Sequence, residues 1–185
     1  CPFCDGKRTS VTNSLQSLFP NISAEWHPTK NGDIVPSDVV AGSNQKVWWL
    51  CGEGPDHQWF TSPNKRTYGQ QSCPFCAHVK LSVTNSLQAV APAVADLWHP
   101  TKNGDLSPEK VIAGANKKIW WKCPEGPDHE WEATANSLVS AGSRCPCCAH
   151  QKLSVTNSLS TLYPNVAAEW HPTKNGDLTP DQVIA

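Results

Sequence analysis

Eight of the nine cysteines in this chain stand at positions that recur every 72 residues. Cys1, Cys73 and Cys145 each open a Cys-Pro-x-Cys motif, completed by Cys4, Cys76 and Cys148. Cys51 and Cys123 each precede a histidine, His57 and His129, by six positions, and Trp26, Trp98 and Trp170 keep the same 72-residue interval. Nothing is inserted or deleted. A fixed period of this kind marks a tandem array, which constrains the fold more than any local signal. The chain reads as about two and a half units: 1–72, 73–144 and a partial third, 145–185. Cys1 and Cys4 form a half-site whose partners would lie upstream. The chain therefore reads as a piece of a longer repeat protein. Completion of Cys1/Cys4 by a neighbouring molecule is the second possibility.

The residue types in the pattern point to a metal. Cys123, His129, Cys145 and Cys148 are three thiols and an imidazole within 26 positions. Cys51, His57, Cys73 and Cys76 repeat them. Two close pairs of soft or borderline donors suit a closed tetrahedral Zn2+ site. Disulfides fit worse, because three thiols per unit cannot all pair and the histidine would have no role. Two structural zinc ions per chain are expected, and a reducing compartment is favoured. Cys147, which replaces the Phe3 and Phe75 of the other copies, is taken as a bystander.

Units of 72 residues hold a marginal apolar core unless a metal or disulfide supports it. The nine tryptophans carry much of the burial. Sixteen prolines and eleven glycines imply short elements and many turns. No apolar run is long enough to cross a membrane as a helix. Formal net charge is −1, and the segment 73–144 balances seven basic against seven acidic residues. A non-specific nucleic-acid binder normally carries a basic excess, since phosphate neutralisation supplies most of its affinity.

Within one unit, Cys-Pro-x-Cys is expected to open a helix, with proline in the first turn. In Ser82-Val83-Thr84-Asn85-Ser86-Leu87, Thr84 or Asn85 is expected to cap a short helix running to Val90 before Pro92. Ala93–Trp98 adds one more turn. Asn103-Gly104 signals a turn, and His99 beside it reads as a packing or turn-bonding residue. Ser107–Gly114 reads as one short helix with Ser107 as cap, Pro108 at the first position and Gly114 as stop. Lys117–Cys123 and His129–Ala133 read as the two strands of a hairpin. Alternation places Ile119, Trp121 and Cys123 on one face and Trp120 on the other. The residues up to Arg144 are read as a connection.

Together, Trp-Trp-x-Cys, His-x-Trp, Cys-Pro-x-Cys, Asn-Ser-Leu and Glu-Trp-His-Pro-Thr-Lys-Asn-Gly-Asp resemble the tandem zinc-ribbon, or treble-clef, repeat family over essentially the whole chain. The resemblance implies small α+β zinc-stabilised repeats: a treble-clef-like β-hairpin knuckle plus short helices, in tandem. It puts the metal ligands at Cys51, His57, Cys73 and Cys76, then at Cys123, His129, Cys145 and Cys148. Gly-Pro-Asp before each histidine is longer than the family's usual step. The resemblance also implies an association with DNA, and in some members with nuclease domains.

A zinc held by four protein ligands has no open position for catalysis, so the segment is expected not to be an enzyme. Two binding readings remain. The favoured one is a structural or protein-interaction scaffold, meeting neighbouring repeats, copies of itself or other proteins, and able to build filaments. Trp48 or Trp120 would seal such contacts. The alternative is a nucleic-acid-binding array, with Lys117, Lys118 and Lys122 on phosphates and Trp120 stacked on a base.

Overall fold

The Ser-Val-Thr-Asn-Ser-Leu motif starts each folding module, and its second serine does the capping. In a computed structural model that describes residues 1–185 except Cys4 and Lys7, the chain divides into two units, Cys1–Asn85 and Ser86–Ala185. In the first, Ser14 accepts the Ser17 N–H and starts α1, Leu15–Leu18. In the second, Ser86 accepts the Ala89 N–H at the start of α4 (Leu87–Val90). This corrects the expectation of a Thr84 or Asn85 cap, because both of those side chains are committed to other partners. The leucine after the cap, Leu15 or Leu87, is fully buried.

A proline then ends each first helix. It has no N–H to donate and pushes the preceding residue out of helical geometry. Phe19 and Ala91 sit at φ −136° and −142°. The chain restarts as α2 (Pro20–Ser23) in the first unit and α5 (Pro92–Ala95) in the second. Trp26 and Trp98 follow, and each bridges to the inner tryptophan of a hairpin, Trp49 or Trp121, with rings 5.6 Å and 5.8 Å apart, edge to face.

The Trp-His-Pro-Thr-Lys-Asn-Gly segment is a turn stitched to that hairpin. His99 is buried, and its Nδ1 accepts the N–H groups of Thr101 and Lys102. Asn103 completes the strand edge as a backbone mimic: its Nδ2 donates to Trp120 O and its Oδ1 accepts the Trp120 N–H, both at 2.9 Å. His27 and Asn31 repeat these bonds. Gly32 and Gly104 turn the chain at φ 61° and 58°, a region costly for other residues.

The helix expected at 107–114 is only a 3-10 turn, Pro108–Lys110. Tertiary pairing overrides the local signal. Val111 is extended because its carbonyl accepts the Leu87 N–H at 2.7 Å and Ile112 bridges Ser86.

The hairpins are as read. In the first unit β1 (Val47–Leu50) pairs antiparallel with β2 (Gln58–Thr61). In the second, β3 (Lys118–Lys122) pairs with β4 (Glu130–Thr134). Val47, Trp49 and Trp59 point into the first core, and Ile119, Trp121 and Trp131 into the second. Each hairpin runs into a helix where the sequence pattern suggests only a connection: α3 (Pro63–Arg66) and α6 (Ala135–Val139). Ala135 and Leu138 of α6 are core residues. After the second metal-binding turn, a third module begins with α7 (Leu159–Leu162) and α8 (Pro164–Ala168). No helix among the described residues is long and apolar enough to cross a membrane.

Candidate metal centre

Each centre is assembled from a hairpin tip and the turn that follows the next helix. The tip closes when Cys51 N–H donates to His57 O at 3.0 Å and His57 N–H donates to Gly54 O. Gly54 is required there, since a Cβ would meet the His57 ring at 2.7 Å. Gly126 faces His129 in the same way, at 2.5 Å. The second ligand pair sits on a single turn rather than the expected helix. Ala77 N–H reaches Cys73 O, and Val79 and Lys80 N–H both reach Pro74 O. His78 at φ 55° then ends the turn, and His150 does so in the second unit. The reversal carries the chain back to the histidine instead of away from it.

These elements bring Cys51, His57, Cys73 and Cys76 together, and likewise Cys123, His129, Cys145 and Cys148, with the four donor atoms of each set within 4.8 Å of one another. Cys51 and Cys76 sulfurs are 3.7 Å apart, and His57 Nδ1 lies 3.8 Å from Cys73 Sγ and 3.5 Å from Cys76 Sγ. In the second set the matching distances are 3.8, 3.7 and 3.5 Å. With Zn–S near 2.3 Å and Zn–N near 2.0–2.1 Å, a tetrahedron has edges of about 3.8 Å between sulfurs and about 3.5–3.6 Å from sulfur to nitrogen. The donor sets therefore fit zinc in chemistry and in size. The described cysteines are all free thiols. Two Cys3His sites, suited to two zinc ions, are present.

Around each quartet lies a second ring of bonds. His57 Nδ1 faces the sulfurs, so Nε2 carries the proton, within 3.0 Å of Ser82 Oγ and 2.9 Å of Thr84 Oγ1. Ser82 donates onward to Asp56 Oδ1 at 2.7 Å, and Val83 N–H donates to Asp56 Oδ2. His129, Ser154, Thr156, Asp128 and Val155 repeat the network. Partners of this kind fix a ligating imidazole's tautomer and aim. Desolvation raises the Asp56 carboxyl, but the Ser82 and Val83 bonds outweigh it and leave the pKa below its ordinary value. The Val155 N–H is the main cause of the same lowering at Asp128. Asn85 holds the metal-binding turn by donating to Phe75 O and Lys80 O.

The thiols are poised for a cation. Desolvation, followed by hydrogen bonds with Cys51 and Cys73, pushes the metal-free Cys76 thiol up to about 12. Cys148 is likewise pushed up to about 12 by desolvation and then by Cys123 and Cys145. A bound divalent cation reverses that balance and holds the sulfurs as thiolates. When zinc is bound it ties hairpin to turn, and the surrounding residues aim the histidine and exclude water.

This second ring is not legible from the ligand motifs alone. Its signal was the recurrence of Ser-x-Thr at 82/84 and 154/156 and of Asp before each histidine. Cys147 stays outside the second quartet and is buried beside it, where Phe75 stacks on His57 in the first unit. The Cys1/Cys4 half-site involves Cys4, which lies outside the described residues; Cys1 is exposed.

A family model described as a probable treble clef zinc finger domain matches residues 22–79 and 94–151. Each match runs from before the bridging tryptophan to just past the fourth ligand, and together they span more than half of the chain. The chain belongs to this family. No curated protein matches it. As a tandem treble clef zinc finger protein, it has the knuckle on a hairpin and the Cys-Pro-x-Cys pair on the following turn. Its Ser-x-Thr ring falls just beyond each matched stretch.

Proposed function

We propose that this segment is a non-enzymatic scaffold, whose zinc-stapled repeats carry contacts to other macromolecules, including further repeats or copies of the chain, on their outward faces. One observation carries the reading. All four tetrahedral positions are filled by protein donors, and the remaining histidine nitrogen is taken by a serine and a threonine. A catalytic zinc needs an open position. Near-zero net charge suits close packing of copies, and an unvarying 72-residue step lets successive repeats present equivalent faces.

Cobalt substitution tests it. Two Co2+ ions per chain should give the intense visible absorption of tetrahedral thiolate sites, unchanged by added azide or cyanide. A spectrum that shifts on adding either anion would reveal an open position and overturn the non-enzymatic reading.

A further inference from the structure

The outer faces of the two hairpins are built from different chemistry. In the first, Trp48 stands opposite Phe60 and Leu50 opposite Gln58. In the second, the same positions pair Trp120 with Glu132 and Lys122 with Glu130. Phe60 is 51 % exposed, and its ring lies 5.3 Å from that of Trp48 at a tilt of 41°. Lys30 Nζ sits 4.6 Å over the Trp48 ring, and its side-chain acceptor is the neutral Gln58. Lys46, one residue ahead of β1, is exposed. Neither β1 nor β2 contains a carboxylate. In the second unit, Lys102 stacks on Trp120 but is tied to Glu130, and Lys122 lies 3.6 Å from the same carboxylate. Lys102 and Lys122 are neutralised there where Lys30 is not, while Lys118, the counterpart of Lys46, is exposed with no ion pair among the described residues.

An open aromatic ring backed by a second ring, flanked by cations and free of strand carboxylates, suits an anionic polymer with exposed planar groups. We infer that the outer face of the first hairpin binds single-stranded nucleic acid, with an unpaired base stacked on Phe60 and backbone phosphates at Lys30 and Lys46. Duplexes fit poorly, because their bases are not free to stack. At the second hairpin Glu132 stands where Phe60 offers its ring, and Glu130 occupies Lys102 and Lys122, so neither the open ring nor the free cation beside it is present there. This deepens the scaffold reading by naming the partner of one face. The cobalt spectra test that reading and the titration below tests this one, so either can fail alone.

The test is fluorescence anisotropy of a labelled oligothymidylate titrated with the zinc-loaded full chain, between 50 and 200 mM salt. Because an unpaired base would lose its stacking partner, Phe60→Glu, which imports the residue of the second unit, should weaken binding by roughly tenfold or more. With about 0.7 counterions released per phosphate on a single strand, the log–log salt slope should be about −1.4. Lys30→Gln and Lys46→Gln should each remove about half of it. Glu130→Gln with Glu132→Phe should create a second binding platform. Zinc content of two per chain certifies each variant as folded; should Phe60→Glu lose zinc, the lysine variants decide. Absence of binding at 50 mM salt, equal binding of a duplex of the same length, or unchanged affinity in the certified variants would overturn the proposal. So would self-association that Phe60→Glu abolishes in sedimentation while the oligonucleotide remains unbound.

Discussion

The two units solve the same packing problem with opposite chemistry. In the first, Arg66 on α3 is buried, donates through Nη2 to Glu25 at 2.6 Å and through Nη1 to Gln71 O at 2.8 Å. Its guanidinium packs 5.2 Å from the ring of Trp49 and 5.1 Å from that of Trp59. In the second, 72 positions on, the pair is Leu138 and Leu97, both part of the core cluster. Arg66 leaves its Nε without a partner among the described residues. The leucines leave no polar atom to satisfy. Meanwhile the quartet, the Ser-x-Thr ring and the Asp before the histidine are the same in both units. The metal and its hydrogen-bonded surround set the fold, and the core beyond them accepts either an ion pair or two leucines.

The largest expected effect comes from the metal. Structural zinc in small fingers carries apparent binding free energies of about 10–16 kcal/mol, more than a small domain's stability. Cys76→Ser should lower zinc from two to one per chain by elemental analysis and unfold the first unit while the second still melts cooperatively. Chelation should unfold both. Because each thiol must lose its proton to bind, and the metal-free Cys76 and Cys148 thiols stand at about 12, zinc affinity should fall steeply as pH drops.

The ion-pair exchange comes next. Glu25→Leu alone leaves Arg66 buried without its carboxylate, and should destabilise the first unit by about 2–4 kcal/mol in urea melts. Adding Arg66→Leu should restore stability to within about 1 kcal/mol of wild type, since well-packed apolar groups often replace a buried pair at no loss. If the double variant were as unstable as the single one, the equivalence of the two solutions would be broken.

The outer ring should matter less than the ligands and equally in both units. Asp56→Asn, Ser82→Ala and Asp128→Asn should each weaken zinc binding by roughly 10–100-fold in competition with a chromophoric chelator. A backbone difference should be smaller still. Gln70 adopts φ 50° where the second unit has Gly142 at φ 64°. Gln70→Gly should therefore stabilise the first unit by about 1 kcal/mol in urea melts, and Gly142→Gln should destabilise the second by a similar amount.

The smallest effect concerns Glu130, whose counterpart is Gln58. Lys102 first, and then His99, hold the Glu130 carboxyl down at about 2. Its Oε1 comes within 3.1 Å of His99 Nε2, without hydrogen-bond alignment. A depressed carboxylate stabilises above its ordinary range and loses that contribution as pH falls from about 4.5 toward 2. The zinc thiolates are protonated before then, so salt is the cleaner probe. Glu130→Gln should lower the melting temperature slightly, and only at low ionic strength.

The quartets were legible because four soft donors at C-x5-H and C-x2-C spacing have few other uses. The hairpin face pattern was legible because alternation is local. What escaped depended on partners far along the chain. Thr84 and Asn85 look like caps, but one is drawn to His57, 27 positions back, and the other to the metal-binding turn. Val111 looks helical but pairs with Leu87. The Thr134 cap of α6 was visible in type, yet nothing local marked Leu138 as buried. Trp120, read as open for stacking, is half-buried under Lys102.

Each quartet draws two donors from one copy of the motif and two from the next. An array of this design can lengthen or shorten only in whole steps of 72 residues. A recombination event of any other length would strand a pair of thiols without its complement. Unequal crossing-over between copies in register leaves every staple intact wherever the exchange falls, so the spacing itself guards the integrity of the array through duplication and loss.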